Sequence, residues 1–214
     1  LNRKILTPEL RFFKPLIKVL NVEGGNRTKI IIKIYPMRRI KNQLRYSPTD
    51  LANHINCKHL TELNKMVARG VLENPEPYFN PSLKALREKG MAFEDAYLEQ
   101  LQEAGLTILQ GDPDTPLNEE RTVQGMQEGE DVIFQAQLKS DKWEGRADFL
   151  RKVDVPSKLG DWSYEVWDTK LATTTKVSTI VQIGLYSQRI AEIQGAEPEF
   201  MRVIKPNGED EYRY

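Results

Sequence analysis

The chain has 214 residues and a mass of 24.7 kDa, enough for one substantial domain with its own core. Its 31 basic and 31 acidic side chains cancel, so a polyanionic partner would have to be held by local basic clusters and a metal ion rather than by overall charge. A single cysteine, Cys57, excludes a disulfide framework and an all-cysteine metal site within the chain; no long apolar run and no signal peptide is present, so a soluble, cytoplasmic protein without a membrane partner is expected.

Residues 1–36 hold eight Lys and Arg against Glu9 and Glu23, and end in the strand-like TKIIIKIYP. They read equally as an extension ahead of the natural start and as an N-terminal β element. A helical segment is expected across residues 37–80: Ser47, Pro48 and Asp50 mark a helix start, with Leu51, His54 and Ile55 following at near-helical spacing. His54, Cys57 and His59 match no zinc-ligand spacing and lack a fourth ligand nearby, so Cys57 on an apolar face is first read as core.

Residues 81–105 form the strongest expected helix, opened by Pro81 and closed by Gly105. Leu83, Leu86, Gly90, Phe93, Tyr97 and Leu101 trace one apolar stripe, and Glu94 lies on or beside it. Gly90, one turn earlier, would let the helix approach a sheet closely. A short strand is expected at 106–110, a loop at 111–122 and a clear strand at 130–139. A helix ended by Gly195 covers 177–195, with Gln182, Tyr186 and Arg189 on one face; a strand at 199–205 follows, and then the start of another.

The chemistry is concentrated in residues 143–170. WEGRADFL (143–150) and YEVWDTK (164–170) each read as a short strand, separated by a turn region containing Pro156, Gly160 and Asp161. Alternate side chains of a strand share a face, so Asp168 and Lys170 point the same way. If the two strands pair antiparallel, Asp148 arrives beside Asp168, and two carboxylates and an ammonium converge at one end of a sheet. Burying two carboxylates together normally requires a cation, so this is a candidate divalent-metal site. Glu94 is the candidate third acid.

The order of elements, namely a helix with an inward Glu, strands carrying Asp and Asp-x-Lys, a helix with Gln-x-x-x-Tyr and a strand, resembles the PD-(D/E)XK nuclease superfamily. YSPTDL, CKHLTEL, DVIFQAQL, GRADFL and YEVWDTKL resemble, more closely, its RecB-like putative nucleases, from about residue 46 onward. The resemblance implies an α/β restriction-endonuclease-like core at 81–214, truncated at its C-terminus, in which a mixed central sheet is flanked by helices. It implies Asp148 and Asp168 as Mg²⁺ or Mn²⁺ ligands with help from Glu94, where many relatives carry a histidine nearby. It implies Lys170 as the catalytic lysine, and Gln182 and Tyr186 as supports for the site and the bound strand.

On this reading the protein hydrolyses DNA phosphodiesters, single strands in preference, in repair or defence, with a helicase or other domain as a further partner. Tyr186 would offer a stacking surface and Arg189 a phosphate contact. The alternative is an inactive nucleic-acid-binding module of the same fold. Cluster-bearing relatives place one cysteine ahead of the core and three behind it, so the resemblance makes Cys57 a candidate [4Fe–4S] ligand in a longer natural protein only; four thiolates are needed and this chain has one.

Overall fold

The computed structural model describes residues 37–75, 80–112 and 114–214. The strand expected before residue 36 lies outside the described residues. The described chain is mixed α/β. A two-stranded hairpin, β1 (Arg38–Ile40) and β2 (Gln43–Arg45), precedes helices α1 (Pro48–Asn56), α2 (Lys58–Ala68) and α3 (Pro81–Glu103). There follow β3 (Ile108–Leu109), α4 (Glu119–Glu128), β4 (Val132–Lys139), β5 (Glu144–Val153), β6 (Ser163–Thr169), α5 (Val177–Gln194), β7 (Phe200–Lys205) and β8 (Gly208–Arg213). The last six strands form one sheet in sequence order, with β3–β4 and β6–β7 parallel and the other pairs antiparallel. Among the described residues no helix is long and apolar enough to cross a membrane.

The sheet has a core on each face. On one, Leu109, Met126, Ile133, Ala136, Ala147, Leu150, Tyr164, Val166, Ile183, Tyr186 and Ile190 pack the strands against α4 and α5. On the other, Leu98 and Leu101 of α3 meet Val132 and Phe149, with Tyr97, Phe134 and Trp167 around them. Tyr97 meets Phe149 edge-on at 5.2 Å and 88°, which fixes α3 over the centre of the sheet.

The helix starts follow their residues. Ser47 and Asp50 form a reciprocal capping box on α1 with Pro48 in its first turn, and the Asn80 side chain accepts hydrogen bonds from Ser82 and Leu83 at the start of α3. Three expectations are corrected. The helical run after residue 46 breaks at Cys57, which ends α1 and begins α2 in an extended conformation; it is exposed rather than part of a core. The stripe on α3 packs only in its second half: Leu83 and Leu86 are 58% and 57% exposed, and a Cβ on Gly90 would meet only Leu171 at an ordinary 3.9 Å, so no close approach explains that glycine. The expected loop at 111–122 instead runs into α4, capped by Asn118 and closed by the left-handed Gly129.

Candidate active site

The β5–β6 ladder ends at the pair Phe149↔Trp167. The next pair in that register is Asp148 and Asp168, and there the strands part. Thr169 turns its backbone N–H and its hydroxyl to Asp148 Oδ2, at 2.9 and 3.0 Å, in place of a ladder bond. On its other side β6 stays paired with β7 through Asp168↔Val203 and Thr169↔Ile204, so Asp168 is held in a fixed strand while the gap opens beside it. An opening at the end of a central strand pair, between a parallel and an antiparallel neighbour, is a place where side chains can reach a ligand without breaking a ladder.

Asp168 is 2% exposed. Lys170, two residues on, forms an ion pair with Asp168 Oδ2 and donates from Nζ to its neighbour's carbonyl, Thr169 O, at 3.1 Å. Oδ2 is buried and, apart from that ion pair, accepts no hydrogen bond among the described residues. Burial first, and the adjoining Asp148 carboxylate second, push the Asp168 carboxyl well above the ordinary range, and Lys170 offsets this only in part. Burial alone would pull the Lys170 ammonium down, but Asp168 and Asp148 outweigh it and hold the group charged.

Glu94 comes from α3, three residues before Tyr97 and therefore on the same face of the helix. Burial, then Asp148, raise its carboxyl to about 8, while a hydrogen bond from Gln135 Nε2 to Oε1 works the other way. The structure thus brings Glu94, Asp148, Asp168 and Lys170 together around one gap in the sheet. Among the described residues no three His, Cys, Asp or Glu side chains form a ready-made metal cage. Asp148 and Asp168 nevertheless suit a hard divalent cation: two carboxylates interact directly, and the buried Asp168 Oδ2 has Lys170 as its only cationic partner among the described residues. Mg²⁺ needs no complete protein cage, since one or two carboxylates and substrate phosphates hold it in many sites.

Gln135 was not among the residues singled out from the sequence. It has φ of 52° in the middle of β4, in register with Asp148 across from it. Its left-handed backbone breaks the pleat: Ile133 and Ala136 both face the α5 core, while Phe134 faces α3 and Gln135 reaches Glu94 on that same helix. A non-glycine residue in this region costs about 1 kcal/mol or more, and such strain concentrates at functional sites. The trace it leaves in the sequence is apolar spacing of three and then two, at Ile133, Ala136 and Leu138, where a regular strand would alternate strictly.

The Gln182, Tyr186 and Arg189 face of α5 is corrected in part. Tyr186 is 3% exposed, set edge-on to Trp143 with ring centroids 6.0 Å apart, so neither ring face is open for a base to stack on. Its hydroxyl lies by Gln182 and the Arg146 backbone, and burial, then Asp148, push its pKa up strongly. It is a neutral buttress behind the carboxylates. Arg189 is committed elsewhere: Nε donates to Glu119 Oε1 at 3.1 Å and Nη1 to Glu192 Oε2 at 2.8 Å, which ties α5 to the start of α4. No protein-family model matches this chain, and no curated protein matches it.

Proposed function

We propose that this protein is a metal-dependent nuclease of the PD-(D/E)XK type that hydrolyses phosphodiester bonds in DNA, acting on single strands. The observation that carries this reading is the meeting of Asp148, Asp168 and Lys170 where the β5–β6 ladder opens, with Glu94 facing the same gap from α3. Unrelated structural acids have no reason to converge there, because a buried carboxylate beside a second one is costly even with Lys170 at hand.

Asp148 and Asp168 would hold Mg²⁺ or Mn²⁺, with Glu94 as an outer acid restrained by Gln135. When bound, such an ion supplies Lewis acidity toward a phosphate oxygen and a water. Lys170 keeps its ammonium charged at neutral pH and presents it beside the same carboxylates, where it stabilises negative charge building on the phosphate or orients the attacking water. The buried Tyr186 closes the site from behind, with Gln182 at its hydroxyl.

The test is cleavage of labelled single- and double-stranded DNA with EDTA, Mg²⁺ or Mn²⁺, by the natural-length protein and its Asp148→Ala and Lys170→Ala variants. Metal-dependent cleavage lost in both folded variants supports the reading. Undiminished cleavage by either assigns the activity to other residues, and strand binding without cleavage by the parent leaves a binding module.

A further inference from the structure

Arg146 differs from the half-buried Arg151 and Arg202 of the sheet and from Arg189 of α5. Arg189 is paired with Glu119 and Glu192, Arg202 with Glu165 and Glu211, and Arg151 lies over the Trp167 ring. Arg146 is half-buried and forms no ion pair among the described residues. Its one side-chain hydrogen bond runs from Nε to Gln137 Oε1 at 3.0 Å, across the register pair Gln137↔Arg146. That bond sets the plane of the guanidinium, and among the described residues neither terminal nitrogen has a partner.

The direction of the side chain follows from the strand. Ala147 is part of the α5-side core and a Cβ on Gly145 would meet Tyr186 and Pro48, so both neighbours face α5 and Arg146 projects to the other side. Ala136 and Leu138 place Gln137 on that side too. Gln135 holds Glu94 there, so alternate glutamines of β4 each fix one charged side chain over the same face. Arg146 stands two residues along β5 from Asp148, about 7 Å of strand.

A fixed planar fork without an acid is suited to two oxygens of an external phosphate, and a half-buried unpaired charge gains most from such a partner. We propose that Arg146, oriented by Gln137, binds a phosphate of a single-stranded nucleic acid adjacent to the one presented to Asp148, Asp168 and Lys170. The proposal rests on the nuclease reading and extends it to substrate binding. Lys170 is the cation at the carboxylates; Arg146 lies further along the strand, so its contact belongs to holding the chain rather than to bond breaking.

The experiment is fluorescence anisotropy of a labelled oligodeoxynucleotide across a range of NaCl concentrations, with Ca²⁺ in place of Mg²⁺, for the parent protein, Arg146→Gln, Arg146→Lys and Arg189→Gln. Arg146→Gln is expected to weaken binding roughly tenfold or more and to flatten the slope of log K against log salt by about 0.7, the share of one phosphate on a single strand. Arg146→Lys should keep the slope while losing part of the affinity, and Arg189→Gln should keep both. A parental slope and affinity in Arg146→Gln, in a protein that does bind and cleave DNA, overturns the Arg146 assignment and leaves the nuclease reading standing. A parent that binds no strand overturns both. If Arg146→Gln is unfolded by circular dichroism, Arg146→Lys decides: weaker affinity at an unchanged slope supports the contact, and unchanged affinity overturns it.

Discussion

Gln135 and Asp148 stand opposite one another on β4 and β5, and at that one rung both strands abandon the regular pleat. Ala147 and Leu150 face the same core although three residues apart, as do Ile133 and Ala136 across from them. The left-handed Gln135 is the local cause, and its side chain uses the resulting direction to hold Glu94. Strain and hydrogen bond can be separated by substitution. Gln135→Ala removes the bond and keeps the strained backbone; Gln135→Gly removes both. The glycine variant is expected to be more stable than the alanine variant by about 1 kcal/mol in urea unfolding, while both lose metal-dependent cleavage to a similar degree. Equal stabilities would show that the backbone at 135 is unstrained.

The carboxylate group gives the metal-free protein an unusual pH response. Burial and mutual repulsion raise Glu94 to about 8 and Asp168 to about 7, above their unfolded values of 4.5 and 3.8. Between those limits the folded state keeps protons that the unfolded chain has released, so stability falls as pH rises through the window. In EDTA the melting temperature should therefore drop from pH 5 to pH 8 more steeply in the parent than in Asp148→Asn, which removes the charge that acts on both groups. Added Mg²⁺ should raise the melting temperature most at the alkaline end. A parent and variant with superimposable pH profiles would contradict the coupling.

Lys170 has two separable roles. Its ammonium compensates the buried Asp168, and on the proposed function it also stabilises charge on the phosphate. Lys170→Met should destabilise the metal-free protein by a few kcal/mol, about 3, because Asp168 is left buried beside Asp148 with no cation. Lys170→Met/Asp168→Asn should recover most of that stability yet remain inactive, with cleavage down ~100-fold or more. Recovery of cleavage in the double variant would remove Lys170 from the chemistry.

Much of this site was legible because strand parity and capping chemistry are local. Asp168 and Lys170 share a face by alternation, and antiparallel pairing of 144–153 with 163–169 brings Asp148 alongside. The Ser47–Asp50 capping box is likewise written in four residues. What escaped depends on partners far along the chain. Helical periodicity shows that Leu83 and Leu86 share a face with Tyr97, but not that the sheet stops short of them. The spacing of Gln182, Tyr186 and Arg189 gives a face and not its exposure, and Glu119, which engages Arg189, lies 70 residues away. The helix α4 is polar and preceded by turn-forming residues, so only its caps, Asn118 and Gly129, mark it.

Gly145 is the joint between the site and the N-terminal helices. It begins the GRAD run of β5, where Tyr46 N–H donates to Lys142 O at 2.9 Å, Glu144 N–H donates to Tyr46 O at 3.0 Å, and α1 lies against α5. A Cβ at 145 would fall 2.6 Å from Pro48 Cδ and 2.8 Å from the Tyr186 hydroxyl, closer than side chains tolerate. Proline and a buried tyrosine both lack the freedom to retreat, so Gly145→Ala should cost about 1–3 kcal/mol as overpacking. It should also displace Tyr186 from behind Asp148 and depress cleavage more than binding. Tyr186→Phe removes only the hydroxyl, whose partners are Gln182 and the Arg146 backbone, and should be mildly destabilising alone. In the double variant the missing oxygen makes room for the new methyl, so the two costs should combine to less than their sum, by about 0.5 kcal/mol or more. Urea unfolding of the four proteins measures this coupling; strictly additive costs would mean that Pro48 alone sets the fit at Gly145 and that the Tyr186 hydroxyl is free to move.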